Sequence, residues 1–334
     1  MGKSLKPVII ISAINFTLGG PLSILQDCLS YLQQCYLQEY KVVALVHDKS
    51  LLADIDGIEF IELPKSTRSY FYRLYYEYIY FNKISQQLKP YLWLSLHDMT
   101  PNVKADVRAV YCHNPSPFYK LNLKHALLDP TFALFNLFYK YIYKINIKQN
   151  DFVIVQQDWL RTAFKRLYGV NSVVVAYPDI EGGQSIEVAN DAREIYSFFF
   201  PTLPRFFKNI EVIVDAVRIL NQQHNDFEVV MTIDKTENKY ARYIAEYSDD
   251  VANLKFIGRV SREEVFSLYG QSDCLIFPSK LETWGLPITE FKPTQKPMLV
   301  ADLPYAHETV GDYQHVEFFD PDNALAHQRC IIHA

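Results

Sequence analysis

Cysteine is scarce in this chain. There are five, an odd number, and none form a Cys-x-x-Cys pair. That excludes a disulfide framework and a thiolate zinc site, and it favours a reducing compartment. No run of 18 apolar residues occurs, so no membrane-spanning helix is expected. Near the start, the apolar run Val8 to Ile11 is too short for a signal peptide and lacks a small-residue cleavage site. A first buried strand is expected there instead. A glycine-rich G-x-G-x-x-G string is also missing from the turn after that strand. One Asp-x-Asp occurs at Asp54-Ile55-Asp56, but Gly57 follows at once, and Asp with Gly is turn chemistry. Asp320-Pro321-Asp322 reads the same way. No metal and no cofactor are expected.

What is present suits a folded two-domain chain. The 334 residues are 49% hydrophobic, enough for sizeable cores. Charge is uneven: residues 1–180 carry 19 Lys+Arg against 14 Asp+Glu, while residues 181–334 carry 14 against 24. Residues 65–166 alone carry 15 basic against 6 acidic, so one half is suited to an anionic surface. Aromatic residues concentrate at 69–81 and 132–148, in the second case interleaved with Lys140, Lys144 and Lys148. Tyrosine and lysine on one helix suit a bilayer surface. They suit equally a helix packed on a sheet or in a dimer contact. Arg73 and Glu77 stand at the spacing of a helical ion pair.

Apolar strand patterns alternate with helical ones along the whole chain, which predicts parallel sheets wrapped by helices, an α/β fold. The break falls in the polar, glycine-bearing segment 179–192, giving domains 1–180 and 181–334. In the first half, strand Val8 to Ile14, the turn Gly19-Gly20 and a helical pattern from Leu22 bring backbone N–H groups to one place. Two later strands end in histidines, His97 and His113. Parallel strands end at a ligand crevice. His97 and Asp98 are neighbours and, in a strand, point to opposite faces, so no triad is expected.

The most informative stretch runs from Phe277-Pro278-Ser279 to Glu290. A short apolar strand leads into a loop, Gly285 frees the backbone, and Pro287 suits a first helical turn. Free N–H groups at that turn favour an anion, and Glu282 and Glu290 flank it with acceptors for hydroxyls. The Glu-x7-Glu spacing around Gly-Leu-Pro resembles the donor-site motif of retaining glycosyltransferases of GT-B fold, the group-1 class found in bacterial O-antigen, capsule and exopolysaccharide assembly. Gly19-Gly20 and the Tyr111-Cys112-His113-Asn114-Pro115 segment are similar to that class as well.

The resemblance implies two Rossmann-like domains with parallel sheets facing a central cleft. It implies an N-terminal acceptor domain and a C-terminal domain for a nucleotide-diphosphate sugar. His113 and Glu282 are the implied catalytic contacts. Gly19, Gly20, Arg205, Lys208, Gly285, Leu286 and Glu290 are the implied donor-binding residues. Arg205 departs from the pattern, standing three residues before Lys208 rather than five or six, and Pro293 is expected to end the glutamate helix early. The implied reaction moves a sugar, with retention and without metal, to a glycan acceptor such as a polyprenyl-diphosphate-linked oligosaccharide. The implied place is the cytoplasm, at the inner membrane face, with no nucleic-acid partner. Two other readings remain open: a sugar-nucleotide epimerase of the same fold, and a silent sugar-nucleotide or glycan binder.

Overall fold

The computed structural model describes residues 6–178, 186–188 and 195–323. The chain forms two compact units, Met1–Asn114 with Phe138–Tyr177, and Pro115–Leu137 with Pro178–Ala334. Most of the segment 179–192, where the break is expected, lies outside the described residues. None of the described helices is long and apolar enough to cross a membrane.

The first unit is built on seven parallel strands: β1 Val8–Ala13, β2 Lys41–Val46, β3 Glu59–Glu62, β4 Leu92–Ser95, β5 Val107–Cys112, β6 Phe152–Val155 and β7 Val173–Val175. Their order is β3-β2-β1-β4-β5-β6-β7. Both faces are buried, as a sheet wound by helices requires. Ile9, Ile11 and Ala13 pack with Leu25 and Leu29 of the helix Gly19–Cys35, while Ile10 packs with Phe81, Ile84 and Trp93 on the other side. Strand periodicity divides one apolar run between two cores.

Among the described residues the second unit has six: β8 Tyr196–Phe200, β9 Phe227–Met231, β10 Leu254–Phe256, β11 Cys274–Phe277, β12 Met298–Ala301 and β13 Val316–Phe319, ordered β10-β9-β8-β11-β12-β13. All pairs are parallel. Chain order reverses between β8 and β11, and between β1 and β4. These are the switch points, where loops at the carboxyl ends of neighbouring strands diverge and leave room for a ligand.

The expected Arg73–Glu77 pair does not form. A π-turn, Tyr76–Tyr80, follows the helix Tyr70–Tyr75 and changes the phase of the segment, so Glu77 turns inward. Arg73 Nη2 donates instead to the carbonyl of His97 at 3.0 Å, and Glu77 Oε1 lies 3.1 Å from buried His97 Nε2. Burial pushes the Glu77 carboxyl up to about 8, only partly opposed by Arg73. Burial, and then the Arg73 charge, holds the His97 imidazole well below its usual range. The pair is therefore neutral at pH 7.

Glu77 binds its proton more tightly folded than unfolded, so its contribution falls as pH rises from 4.5 to about 8. His97 binds its proton more weakly folded, so its contribution falls as pH drops below 6.5. The two slopes oppose each other between 4.5 and 6.5, and only the Glu77 slope remains above. Glu77→Gln is expected to abolish the loss of stability between pH 6.5 and 8, read by urea unfolding at both values. An unchanged pH slope in the variant would refute the assignment.

Candidate functional site

The loops leaving β8 and β11 meet at the switch point of the second sheet. Pro201 and Pro204 shape the first, which closes in a tight turn at Phe206–Lys208 with Asn209 left-handed at φ +59°. The two loops are bolted together, with Lys280 N donating to Phe207 O at 2.7 Å. Tyr305 OH donates to Ser279 O at 2.6 Å from below. This fixing brings Lys208 Nζ to 2.5 Å from Glu282 Oε1, with both side chains largely buried. Sequence places these residues 74 apart. The Tyr305 hydroxyl is held well above its usual range by burial first and by the Glu282 charge second.

Gly285 stands at φ +88°, just before the helix Leu286–Phe291. A methyl group there would lie 3.3 Å from Ile288 Cδ1 and 3.3 Å from Phe277 Cε1. Gly285→Ala is expected to cost about 1–3 kcal/mol, from left-handed strain and overpacking. Chemical denaturation checks this, and wild-type stability in the variant would exclude the close fit. The helix gives way to a 3-10 turn at Lys292–Thr294, where Pro293 removes a donor. Leu286 is exposed at its start. Glu290 Oε2 accepts from Tyr269 OH at 3.0 Å and its Oε1 lies 3.3 Å from Arg262 Nη2, so each carboxylate oxygen already has one partner.

Lys208 lines a cavity of about 440 Å³ with Thr202, Thr232, Arg259 and Val265. Arg205 does not line it. That residue borders a separate cavity of about 130 Å³ with Asp129 and Lys239, and its Nη1 is 3.5 Å from Asp129 Oδ2. The basic partner beside Lys208 is Arg259, in the loop after β10, itself paired to Glu237 at 2.8 Å. Sequence reasoning missed it. The signal was Gly258-Arg259 at the end of a short apolar strand, followed by the Ser261–Glu264 capping box, which the structure contains.

In the first unit, Gly19 opens a helix at φ +66°, and neither Gly19 nor Gly20 has an atom within 4 Å of an added Cβ. His113 follows β5, its ring stacked on Tyr111 and edge-on to Phe16, each 5.7 Å between centroids. Its Nδ1 is 3.5 Å from Asp98 Oδ1. Asp98 is the second residue that sequence reasoning missed. It sits at φ +70° beyond the end of β4, so the alternation of a strand does not apply to it. Its carboxylate accepts from the His113 and Asn114 backbone N–H groups at 2.7 and 3.2 Å, from Tyr143 OH at 2.7 Å and from Tyr139 OH at 3.0 Å. His97 is fully buried, bonded through Nε2 to Ser12 Oγ at 3.1 Å.

Residues 188–333, which hold Lys208, Glu282 and Glu290, match the family model described as glycosyl transferases group 1. The match ties the second half of the chain to the group-1 glycosyltransferases. Solved structures give the fold independently. A glycosyltransferase from Rickettsia africae aligns with a TM-score of 0.69 at 16% identity, covering 98% of this chain and 88% of that one. WaaG, a glycosyltransferase involved in lipopolysaccharide biosynthesis, aligns at 0.66 and 12% identity, covering 97% and 90%. HepE of Anabaena, solved with UDP and glucose, aligns at 0.64 and 13%, covering 97% and 89%. These likenesses establish the GT-B fold for this chain. In sequence it is 20% identical over 230 residues to the O-antigen chain mannosyltransferase RfbU of Salmonella typhimurium, covering 67% of this chain and 60% of that relative.

Proposed function

We propose that this chain is a group-1 glycosyltransferase that moves a sugar from a nucleotide-diphosphate donor to a glycan acceptor, with retention and without a metal ion. The observation that carries the reading is the Lys208–Glu282 pair at the second sheet's switch point, beside a cavity of about 440 Å³. A lysine there places positive charge where the departing diphosphate becomes more negative, which is the work a metal does elsewhere. Glu282, its charge offset by Lys208, accepts a hydrogen bond from a hydroxyl of the transferred sugar. The backbone N–H groups from Gly285 to Leu286 add donors, and the remaining lone pairs of Glu290 accept from the ribose. Arg259 lines the cavity and supplies the second positive charge, a role that the resemblance implied for Arg205.

In the first unit, His113 and the Gly19-Gly20 turn are assigned to the acceptor, which in a retaining transfer attacks from the side that the diphosphate leaves. No nucleophile of the chain is required. The acceptor is a lipid-diphosphate-linked oligosaccharide of surface-polysaccharide assembly, met at the inner membrane face. The names of RfbU and WaaG support this. So do the exposed Tyr70, Phe71, Leu74 and Ile79 in a basic segment.

The test is a panel of radiolabelled nucleotide sugars with and without a bacterial lipid-linked oligosaccharide fraction, run with and without EDTA. The expected result is label transferred only when acceptor is present, EDTA without effect, and an α-configured donor giving an α-linkage. Conversion of the donor to an epimer without acceptor would reject the reading in favour of an epimerase. Binding with no conversion at all would reject catalysis.

A further inference from the structure

A second cavity, of about 390 Å³, lies in the first unit, between the end of β1 and the segment that follows β3. Asn15 forms one wall. Ser66, Thr67, Arg68 and Ser69 form the other, and Arg73 contributes from the helix behind them. None of these residues belongs to the donor machinery described above. From this cavity we infer a subsite for a sugar joined to a phosphate, the linkage unit of the acceptor, with Arg68 and Arg73 on the phosphate and Asn15 on a sugar hydroxyl. The inference rests on the glycosyltransferase reading only for the word acceptor; the site stands on its own geometry.

Three features point to an anionic, hydroxylated ligand. First, neither guanidinium has an ion-pair partner among the described residues. The carboxyl nearest in sequence to Arg73, Glu77, is buried and held protonated at pH 7, so the positive charge stays open to a ligand. Second, the rest of the lining is mostly polar: Asn15, Ser66, Thr67 and Ser69 stand around the arginines together with Tyr70. Third, the arginines are held differently. Arg73 is fixed by its bond to His97 O at 3.0 Å, while the Arg68 side chain is exposed and free to close over an anion. The wall itself is rigid, because the Ser66 hydroxyl donates to Ile14 O and so ties it to the end of β1. A guanidinium fork matches phosphate oxygens in pairs, and hydroxyls of Ser and Thr complete the shell. The volume lies in the range of small-ligand sites.

Inorganic pyrophosphate is the probe, titrated calorimetrically into the full chain, into Lys208→Ala, and into Lys208→Ala combined with Arg68→Gln. Lys208→Ala is expected to lose the donor-side site and keep one site. Adding Arg68→Gln is expected to weaken that remaining site at least about tenfold, or 1.4 kcal/mol. Arg68→Lys, which keeps the charge without the fork, should fall between. An exposed arginine bears little on folding, and matching thermal melts confirm it. Equal affinity in the single and double variants would overturn the subsite. Binding unchanged by Lys208→Ala but weakened by Arg68→Gln would support the subsite while counting against the donor reading. A membrane source for the phosphate is separated by vesicles with and without phosphatidylglycerol. Loss of vesicle binding in Arg68→Gln with pyrophosphate affinity intact would overturn the subsite, since the charge would then serve a surface and not the cavity.

Discussion

Glu282→Ala is expected to lower the turnover of sugar transfer by about 100-fold to 1,000-fold, the loss typical of removing one preorganised electrostatic contact from a reacting site. The side chain is largely buried and its carboxylate sits 2.5 Å from Lys208 Nζ. Two consequences follow from removing it. On the proposed function, the sugar hydroxyl loses its acceptor. Lys208 also loses the partner that holds its ammonium in place, so the charge meant for the diphosphate drifts or binds it in a nonproductive pose. Affinity for the free nucleoside diphosphate should change little or even rise, because Lys208 is released to it. The diagnostic signature is therefore a fall in kcat with KM nearly constant, read from initial rates across donor concentration. Glu282→Gln keeps the shape and one acceptor oxygen and should recover part of the loss. Full turnover in Glu282→Ala, with donor still bound, would remove Glu282 from the catalytic assignment.

Asp98→Ala is expected to destabilise the first unit by about 1–3 kcal/mol for each buried donor left unsatisfied when the carboxylate is removed. Its carboxylate satisfies two tyrosine hydroxyls and two backbone N–H groups, all in a buried setting. Alanine would remove the acceptor shared by those four donors, although Tyr143 OH also reaches Asn114 O at 3.1 Å and Asn114 N also reaches Tyr143 OH at 3.2 Å, and it would have to adopt φ +70°, which it does poorly. Asparagine in its place would tolerate that backbone but offers one acceptor oxygen instead of two, so Asp98→Asn should cost less. Denaturant unfolding measures both. The same change should reduce transfer in protein that remains folded, because Asp98 sets the backbone of His113 and lies against its ring. A stable, fully active Asp98→Ala would show that the network neither holds the unit nor places His113.

The fold was legible because its signals are local and repeated. Apolar runs such as Val8–Ala13 and Cys274–Phe277 are bounded by turn residues and followed by helical spacing, and parallel sheets buried on both faces impose that rhythm. The last strand, Val316–Phe319, was missed, since Val-Glu-Phe-Phe has little apolar length of its own. The helix Lys239–Tyr247 was also missed, its apolar face being built of tyrosine and alanine among charges. Glu282, Gly285 and Glu290 were legible because one short string carries strand end, turn and helix start together. Arg259 and Asp98 were not. Each reaches its place through a left-handed residue, Gly258 at φ +79° and Asp98 itself, and a single turned backbone redirects a side chain without leaving a periodic trace.

The order of elements, the positions where the backbone must turn and the pair of glutamates around Gly285 were set by the sequence alone, because propensity and periodicity act over a few neighbouring residues. Tertiary structure decided which distant charges meet. Lys208 joined Glu282 because the two loops that carry them leave adjacent strands of one sheet and are hydrogen-bonded to each other. Arg205 was captured by Asp129, and Glu77 was turned inward to His97 and away from the arginine one helical turn before it. Those outcomes depend on burial and on strand order, which bring together residues that spacing along the chain does not relate.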